Sequence, residues 1–366
     1  MNPVRNRTRT DTGGHLGNTA HASAISNGMK IVIATPLYPP EIGGPATYAK
    51  LLIEGLPAKG IEIELVKFSE VRHLPKIIRH YAYYRRVLKA ARHADVVLAL
   101  DPVSVGLPAM CAAKKARKPF VVKIVGDYAW EQGVQRFGVM QNLDVFVKTK
   151  QKNFFVRVLQ KVQALVVSAA KYVIVPSPYL KDIILEWGIP EEKIRIIYNG
   201  IGLPPDVETQ PKKEGEFLVV SAGREVPWKG FDAIRRVVEK HKHESWSVHI
   251  ASGLPRAEAL GWMKTADVFV LNSSYEGFPH ALIEAMTLGT PVVATDAKFH
   301  RALLEHGKTG ILIPIGDDSA LERALLEIRN NPDAASERAL AAQKRMDDFS
   351  LPRMLESTAY FLKQIV

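Results

Sequence analysis

The sequence predicts an α/β protein made of two doubly wound parallel-sheet domains in tandem. Three observations carry that prediction. From Met29 onward, apolar strand segments alternate with amphipathic helical ones. The alternation stops in a Pro- and charge-rich stretch, 201–215, and restarts at Phe217. A chain of 366 residues that is 47% hydrophobic can fill two ordinary cores.

Residues 1–28 have almost no apolar content and read as a disordered tail. MKIVIAT (29–35) is an uninterrupted apolar run, as expected of a strand covered on both faces. A Gly/Pro loop with Gly43 and Gly44 follows, then helical spacing over 46–59. IEIELVKF (61–68) alternates as a strand, and 75–93 reads as a helix. DVVLAL (95–100), a helix over 103–117 and PFVVKIV (119–125) continue the rhythm. Residues 126–147 are polar and aromatic and read as a long loop. A helix over 149–169, a strand over 172–177, a helix over 178–187 and a strand over 194–200 complete a first domain, 29–200. After the linker, the second domain (216–348) has strands at 217–223, 247–252, 267–273, 291–296 and 310–315. Its helices fall at 230–241, 280–288, 317–330 and 333–346, and a last helix at 351–365 lies in the terminal segment 349–366.

Composition excludes several classes. The lone cysteine, Cys111, rules out an intrachain disulfide, a Cys-rich zinc site and a redox pair. No run of about 18 apolar residues is present, and the start of the chain carries no apolar signal segment. The expected location is cytoplasmic. The net charge is +11, divided as +14 over residues 1–200 and −3 over 201–366, so an acidic partner should meet the first domain.

Three stretches carry candidate chemistry. In NSSYEGFPHALIEAMTLGTPVVATD (272–296), Glu276 follows a strand and Glu284 lies in the opening turns of the next helix. Carboxylates at a helix start suit polyol recognition, since each accepts two hydroxyl hydrogen bonds. Gly277 between them permits close backbone approach. In SAGREVPWKGF (221–231), Arg224 and Lys229 stand between a strand and a helix, where a guanidinium fork and an ammonium suit a diphosphate. In YPPEIGGPATY (38–48), Gly43-Gly44 follows the first strand. It is neither a GxGxxG fingerprint nor a P-loop.

Together these stretches resemble the retaining glycosyltransferases of family 4, the glycosyl transferases group 1, over about residues 29–365. Glu276 through Glu284 matches that family's Glu-x7-Glu element, Gly223-Arg224 through Trp228-Lys229-Gly230 its diphosphate loop, and Gly43-Gly44 its N-terminal glycine loop. The resemblance implies the GT-B fold, two Rossmann-like domains facing across a cleft, with the last helix crossing back to the first domain. It implies that Arg224 and Lys229 bind the diphosphate of a nucleoside-diphosphate sugar, a UDP- or GDP-sugar, and stabilise the leaving charge. It places ribose hydroxyls on Glu284, sugar hydroxyls on Glu276, backbone lining at Gly277, Phe278 and Pro279, and closure on the donor or acceptor at Gly43 and Gly44. It implies no metal and no cofactor, with transfer to a hydroxyl of a glycan or lipid-linked acceptor in envelope or exopolysaccharide synthesis.

The sequence departs from the family at two places. No His stands in Val125–Glu131, where many relatives carry one near the sugar, so Asp127 becomes the candidate for that contact. Only a short segment separates Ser252 from Asp267, where relatives have a longer one that reaches the nucleotide base. Two basic stretches, 71–94 and 145–181, contain no acid and interleave cations with aromatics, which suits the surface of an anionic membrane, the inner face of the cytoplasmic one. No nucleic-acid-binding module is present. Two alternatives stay open: an epimerase or phosphorylase on the same fold, and a non-catalytic sugar-nucleotide-binding descendant.

Overall fold

The computed structural model of the chain describes residues 28–41 and 43–366. The expected tail over 1–28 lies outside these but for Gly28.

The first sheet has six parallel strands: β1 (Met29–Thr35), β2 (Ile61–Lys67), β3 (Val96–Ala99), β4 (Phe120–Lys123), β5 (Tyr172–Val175) and β6 (Ile194–Ile196). Their order is β2-β1-β3-β4-β5-β6. The second sheet orders β7 (Phe217–Ala222), β8 (Trp246–Ala251), β9 (Val268–Leu271), β10 (Val292–Thr295) and β11 (Ile311–Ile313) as β11-β10-β9-β7-β8, again all parallel. Register places Ile33 opposite Leu98 and Val220 opposite Phe269. In each sheet the strand order reverses beside the first strand, between β1 and β3 and between β7 and β9. Ligands of such sheets bind beyond the strand ends at that reversal. The loops with Gly43-Gly44, Arg224-Lys229 and Glu276 all start there.

On the first sheet, α2 (Lys76–Ala91), α3 (Gly106–Ala116) and α6 (Phe154–Ala169) cover one face, where Val97, Val122 and Val173 meet Val87, Ala109 and Val166. The other face takes α1 (Gly44–Gly55) and α14 (Leu351–Lys363), with Ile31, Ile33 and Leu52 packed against Leu355, Phe361 and Leu362. The terminal helix therefore crosses back onto the first domain. The second sheet is covered by α9 (Arg256–Thr265), α10 (His280–Thr287) and α13 (Pro332–Gln343) on one face and by α8 (Phe231–Lys240) and α12 (Asp318–Asn330) on the other.

Two expectations need correction. The stretch 126–147 is not one loop, because it holds α4 (Tyr128–Arg136) and α5 (Leu143–Lys148). Asp127 and Asn142 start them by accepting from Trp130 N and Val145 N. The helix expected from 149 begins at Phe154, where Asn153 accepts from Phe155 N and Val156 N. The segment expected as a linker, 201–215, lies against the second domain: Gln210 N donates to Thr265 Oγ1 at 2.8 Å, Lys212 pairs with Asp267, and Val207 is buried in that domain's core. Two short helices were not foreseen, α9 between β8 and β9, and α11 (Lys298–Leu303) after β10. Helix α7 (Pro178–Glu186) starts at Ser177, which accepts from Leu180 N.

Candidate active site

The loops after β7 and β9 are stitched together before they hold anything else. Ser274 N donates to Trp228 O at 2.9 Å, and Asn272 Nδ2 donates to Gly230 O at 3.1 Å. Gly230 has φ +63, and a Cβ there would run into Asn272. Gly223, at φ +138, leaves room for the Lys229 side chain to fold back over it. The result places Lys229 Nζ 2.6 Å from Glu276 Oε1, both side chains nearly buried, at 13% and 12% exposure. Arg224 is exposed in the same loop and, among the described residues, forms no ion pair.

Glu284 lies on the second turn of α10. Arg256, at the start of α9, donates to its Oε1 from Nε at 3.0 Å and from Nη2 at 2.8 Å, and its Nη1 donates to Gly202 O. Burial pushes the Glu284 carboxyl up, and Arg256 opposes that. Glu276 and Glu284 thus each have one cation.

The two domains meet at this site. Ser177 Oγ donates to Gly277 O at 2.9 Å. A Cβ on Gly277 would run into the Val125 carbonyl oxygen. Tyr275 is buried in the first domain's core, with its ring 4.6 Å from Trp130, and Trp228 lies 5.2 Å from Trp130 on another side. Asn199 Nδ2 is 3.1 Å from His280 Nε2. Burial holds His280 down to about 4, so the imidazole is neutral and accepts from the Asn199 amide.

Sequence reasoning and geometry differ at Asp127. Asp127 is not in the cleft: it is 1% exposed, caps α4 through Trp130 N, and accepts from Gln163 Nε2 at 3.0 Å. Its geometry is that of a helix cap, not of a group facing a sugar. Phe278 is a core residue, packed against Phe299 and Phe349, and Pro279 is buried where α10 starts. Gly277 has its carbonyl committed to Ser177, so the junction between domains explains its glycine. Gly43, at φ +154, opens α1, and no group lies within 4 Å of a Cβ built on Gly44, which leaves that loop open.

Two residues were missed. Arg256 carried no motif. Glu131, one turn into α4, is partly buried, and its Oε1 shares the space beside Gly126 with the Tyr275 hydroxyl. Burial pushes its carboxyl up to about 7, while the Arg224 charge pulls it down and Asp127, Asp101 and Glu276 add to the rise. Its spacing of four from Asp127 on a helix start was the available signal. Among the described residues, no group of three or more His, Cys, Asp or Glu side chains is placed to hold a metal ion.

Comparison with known proteins places this arrangement in a family. The model described as Glycosyltransferase Family 4 matches residues 42–203, and that described as Glycosyl transferases group 1 matches residues 247–345, well over half of the chain between them. The phosphatidyl-myo-inositol mannosyltransferase of Mycobacterium leprae is 44% identical over 81 residues, 22% of this chain and 21% of that protein. The D-inositol 3-phosphate glycosyltransferase of Streptomyces scabiei is 23% identical over 90% of this chain and 89% of that protein. The first five curated relatives are matched over only 21% to 53% of their own length. The crystal structure of Anabaena Alr3699/HepE in complex with UDP covers 92% of this chain and 100% of its own, with a TM-score of 0.67 at 18% identity. The likeness of that structure establishes the two-domain GT-B fold, and on the matched family models the chain belongs to the group 1, family 4 glycosyltransferases.

Proposed function

We propose that the chain is a retaining, metal-independent glycosyltransferase that moves a sugar from a nucleoside-diphosphate donor to a hydroxyl of a glycan or lipid-linked acceptor. The observation that carries this reading is the nearly buried Lys229–Glu276 pair, set between the domains at the strand-order reversal with Arg224 beside it. An ammonium has three N–H donors. One stays on Glu276 while the others meet a β-phosphate, and Arg224 supplies the second cation. Glu276 then lies beside the phosphate, bridged to it through the Lys229 ammonium, where the hydroxyls of the transferred sugar stand. Glu284 takes the ribose. As the bond between the anomeric carbon and the phosphate oxygen breaks, Lys229 and Arg224 stabilise the charge left on the diphosphate. The acceptor oxygen bonds to the same face of that carbon, and its proton passes to the departing phosphate oxygen. UDP is the first nucleotide to try, since the Anabaena neighbour is described in complex with it.

The test is calorimetric titration of UDP and GDP with EDTA present, followed by transfer assays in which NMR reads the anomeric configuration of the product. Binding of one nucleotide and retention at the anomeric centre are expected. Inversion, or loss of transfer on EDTA treatment, sinks the mechanism. Isomerised donor without transfer favours an epimerase.

The acceptor is presented at an anionic membrane. Helix α2 exposes Ile77 (87%), Ile78 and Tyr81 among its cations, and α6 exposes Phe154 and Phe155. Amphipathic basic helices with exposed apolar tips suit such a surface. No helix among the described residues is long and apolar enough to cross a membrane. Flotation with anionic vesicles at physiological salt tests this, and protein left in the bottom fraction rejects it.

A further inference from the structure

Trp228 and Tyr275 stand immediately before Lys229 and Glu276 in the two loops that carry the charge pair. Both rings lie against one tryptophan of the other domain. Trp130, on α4, has its ring 5.2 Å from Trp228 and 4.6 Å, edge to face, from Tyr275, and those two are 6.5 Å apart. The three rings form a triangle across the domain junction. Tyr275 also meets Tyr179 of α7 at 6.4 Å, and its hydroxyl lies beside Gly126. Ser274 N donates to Trp228 O, so the two loops are joined where Trp130 touches them.

Trp130 is itself held at both ends. Its backbone N donates to Asp127 Oδ1 at 2.9 Å and its Nε1 to Gln141 O at 2.8 Å. Gln163 of α6 grips the same turn, donating from Nε2 to Asp127 Oδ1 at 3.0 Å and accepting at Oε1 from Ala129 N at 3.1 Å. Trp130, Gln163 and Asp127 are all buried. Buried polar groups satisfied in this way specify one arrangement. The first turn of α4 is therefore rigid, and the indole it presents is a fixed wedge. Closely packed rings tolerate little displacement, and consecutive Cα atoms are held about 3.8 Å apart. A shift of Trp228 or Tyr275 is passed directly to Lys229 or Glu276.

We propose that Trp130 is a positioning residue for sugar transfer: by holding Trp228 and Tyr275 it keeps Lys229 and Glu276 in working geometry only while the two domains are joined. The inference rests on the proposed function. It puts control of the second domain's charge pair in the first domain, so a donor held by the second domain alone meets groups that are present but not aligned. Electrostatic stabilisation of a transition state depends on that alignment, and a misplacement of ~1 Å costs ~100-fold in rate.

The experiment compares wild type with Trp130→Phe and Trp130→Ala, each held well below its own melting temperature. The first readout needs no substrate: acetylation of Lys229 by an N-hydroxysuccinimide ester, followed by mass spectrometry. The nearly buried, ion-paired ammonium is shielded in the wild type. Trp130→Ala should raise its labelling rate at least ~10-fold through local opening. Trp130→Phe keeps a ring against both partners and should label as the wild type does. The second readout is transfer from UDP-glucose, UDP-galactose and GDP-mannose, with calorimetry of UDP and GDP. In Trp130→Ala, kcat should fall ~100-fold. Nucleotide affinity should change far less, because both cations stay on the second domain, and Trp130→Phe should restore most of kcat. Equal labelling of Lys229 in all three proteins overturns the inference. So does a Trp130→Ala enzyme that transfers at the wild-type rate, or one whose kcat and nucleotide affinity fall together, which is damage to the second domain's own fold. A wild type that binds neither UDP nor GDP, or transfers from none of the three donors, overturns the proposed function and the role in transfer with it, while the labelling still reads whether Trp130 holds the pair.

Discussion

Lys229 Nζ and Glu276 Oε1 lie 2.6 Å apart with both side chains nearly buried, so two groups with separate tasks in substrate binding neutralise each other without substrate. Removing one partner of such a pair leaves a charge stranded. Lys229→Ala should destabilise the protein by about 2–4 kcal/mol, and Lys229→Ala with Glu276→Gln by clearly less. Urea unfolding of the four proteins of the cycle measures this. A loss in the double variant equal to the sum of the two single losses would mean the pair does not couple.

Glu131 makes stability depend on pH. Its carboxyl is pushed from 4.5 up to about 7 by burial. Between those values the folded chain holds a proton that the unfolded chain has released. Stability from this group is therefore full below pH 4.5 and is lost as pH rises through about 7. Glu131→Gln should flatten that part of the curve and stabilise at pH 8 by at most ~3 kcal/mol. Thermal melts from pH 4.5 to 8 that stay parallel for both proteins would reject it.

Lys123 acts in the opposite pH range. It is 1% exposed, its ammonium lies over the Tyr48 ring at 3.9 Å without a hydrogen-bond partner, and burial lowers it from 10.5 to about 7. Between those values the unfolded chain binds the additional proton, so stability rises with pH across that window and is lowest at and below neutrality. Lys123→Met should raise Tm at pH 7, by a ceiling of about 4–5 kcal/mol in stability, and should gain progressively less towards pH 10. A lower Tm at pH 7 would show that the amine is needed where it stands.

Arg256 holds the Glu284 carboxylate by two donors and ties α9 to Gly202. Without it, burial favours the protonated acid, which accepts hydroxyls less well. Arg256→Ala should weaken nucleotide binding about tenfold, ~1.4 kcal/mol. Calorimetry reads this directly, and unchanged affinity would free Glu284 of the dependence.

Gly277→Ala places a methyl group against Val125 O across the domain junction. The domains must part or the loop must move, with an expected cost of about 1–3 kcal/mol. Transfer activity should fall more than nucleotide affinity, since Lys229, Arg224 and Glu284 stay on one domain. Equal falls would place the damage inside the second domain.

The alternation of apolar strands and the restart at Phe217 made the two sheets legible, because parallel strands buried on both faces are continuous apolar runs. Helices α4 and α5 were hidden because their buried faces are short and aromatic, and the cap residues Asp127 and Asn142 look like loop residues. Lys229, Glu276 and Glu284 stood out through spacing within a motif. Arg256 and Glu131 did not, since each acquires its neighbours from a distant segment. Asp127 was misread for the converse reason: a carboxylate at a strand end suits a cap as well as a ligand.

Helix α14, which follows the second domain, supplies part of one face of the first domain's core, with Leu355, Phe361 and Leu362 against Ile31, Ile33 and Leu52. During synthesis that face stays uncovered until Leu351–Lys363 have left the ribosome. Domains generally fold as units, N-terminal first, and exposed apolar surface invites association. This protein's first domain cannot finish first, and a nascent chain stalled before Leu351 would display an apolar sheet face to chaperones for as long as it remained tethered.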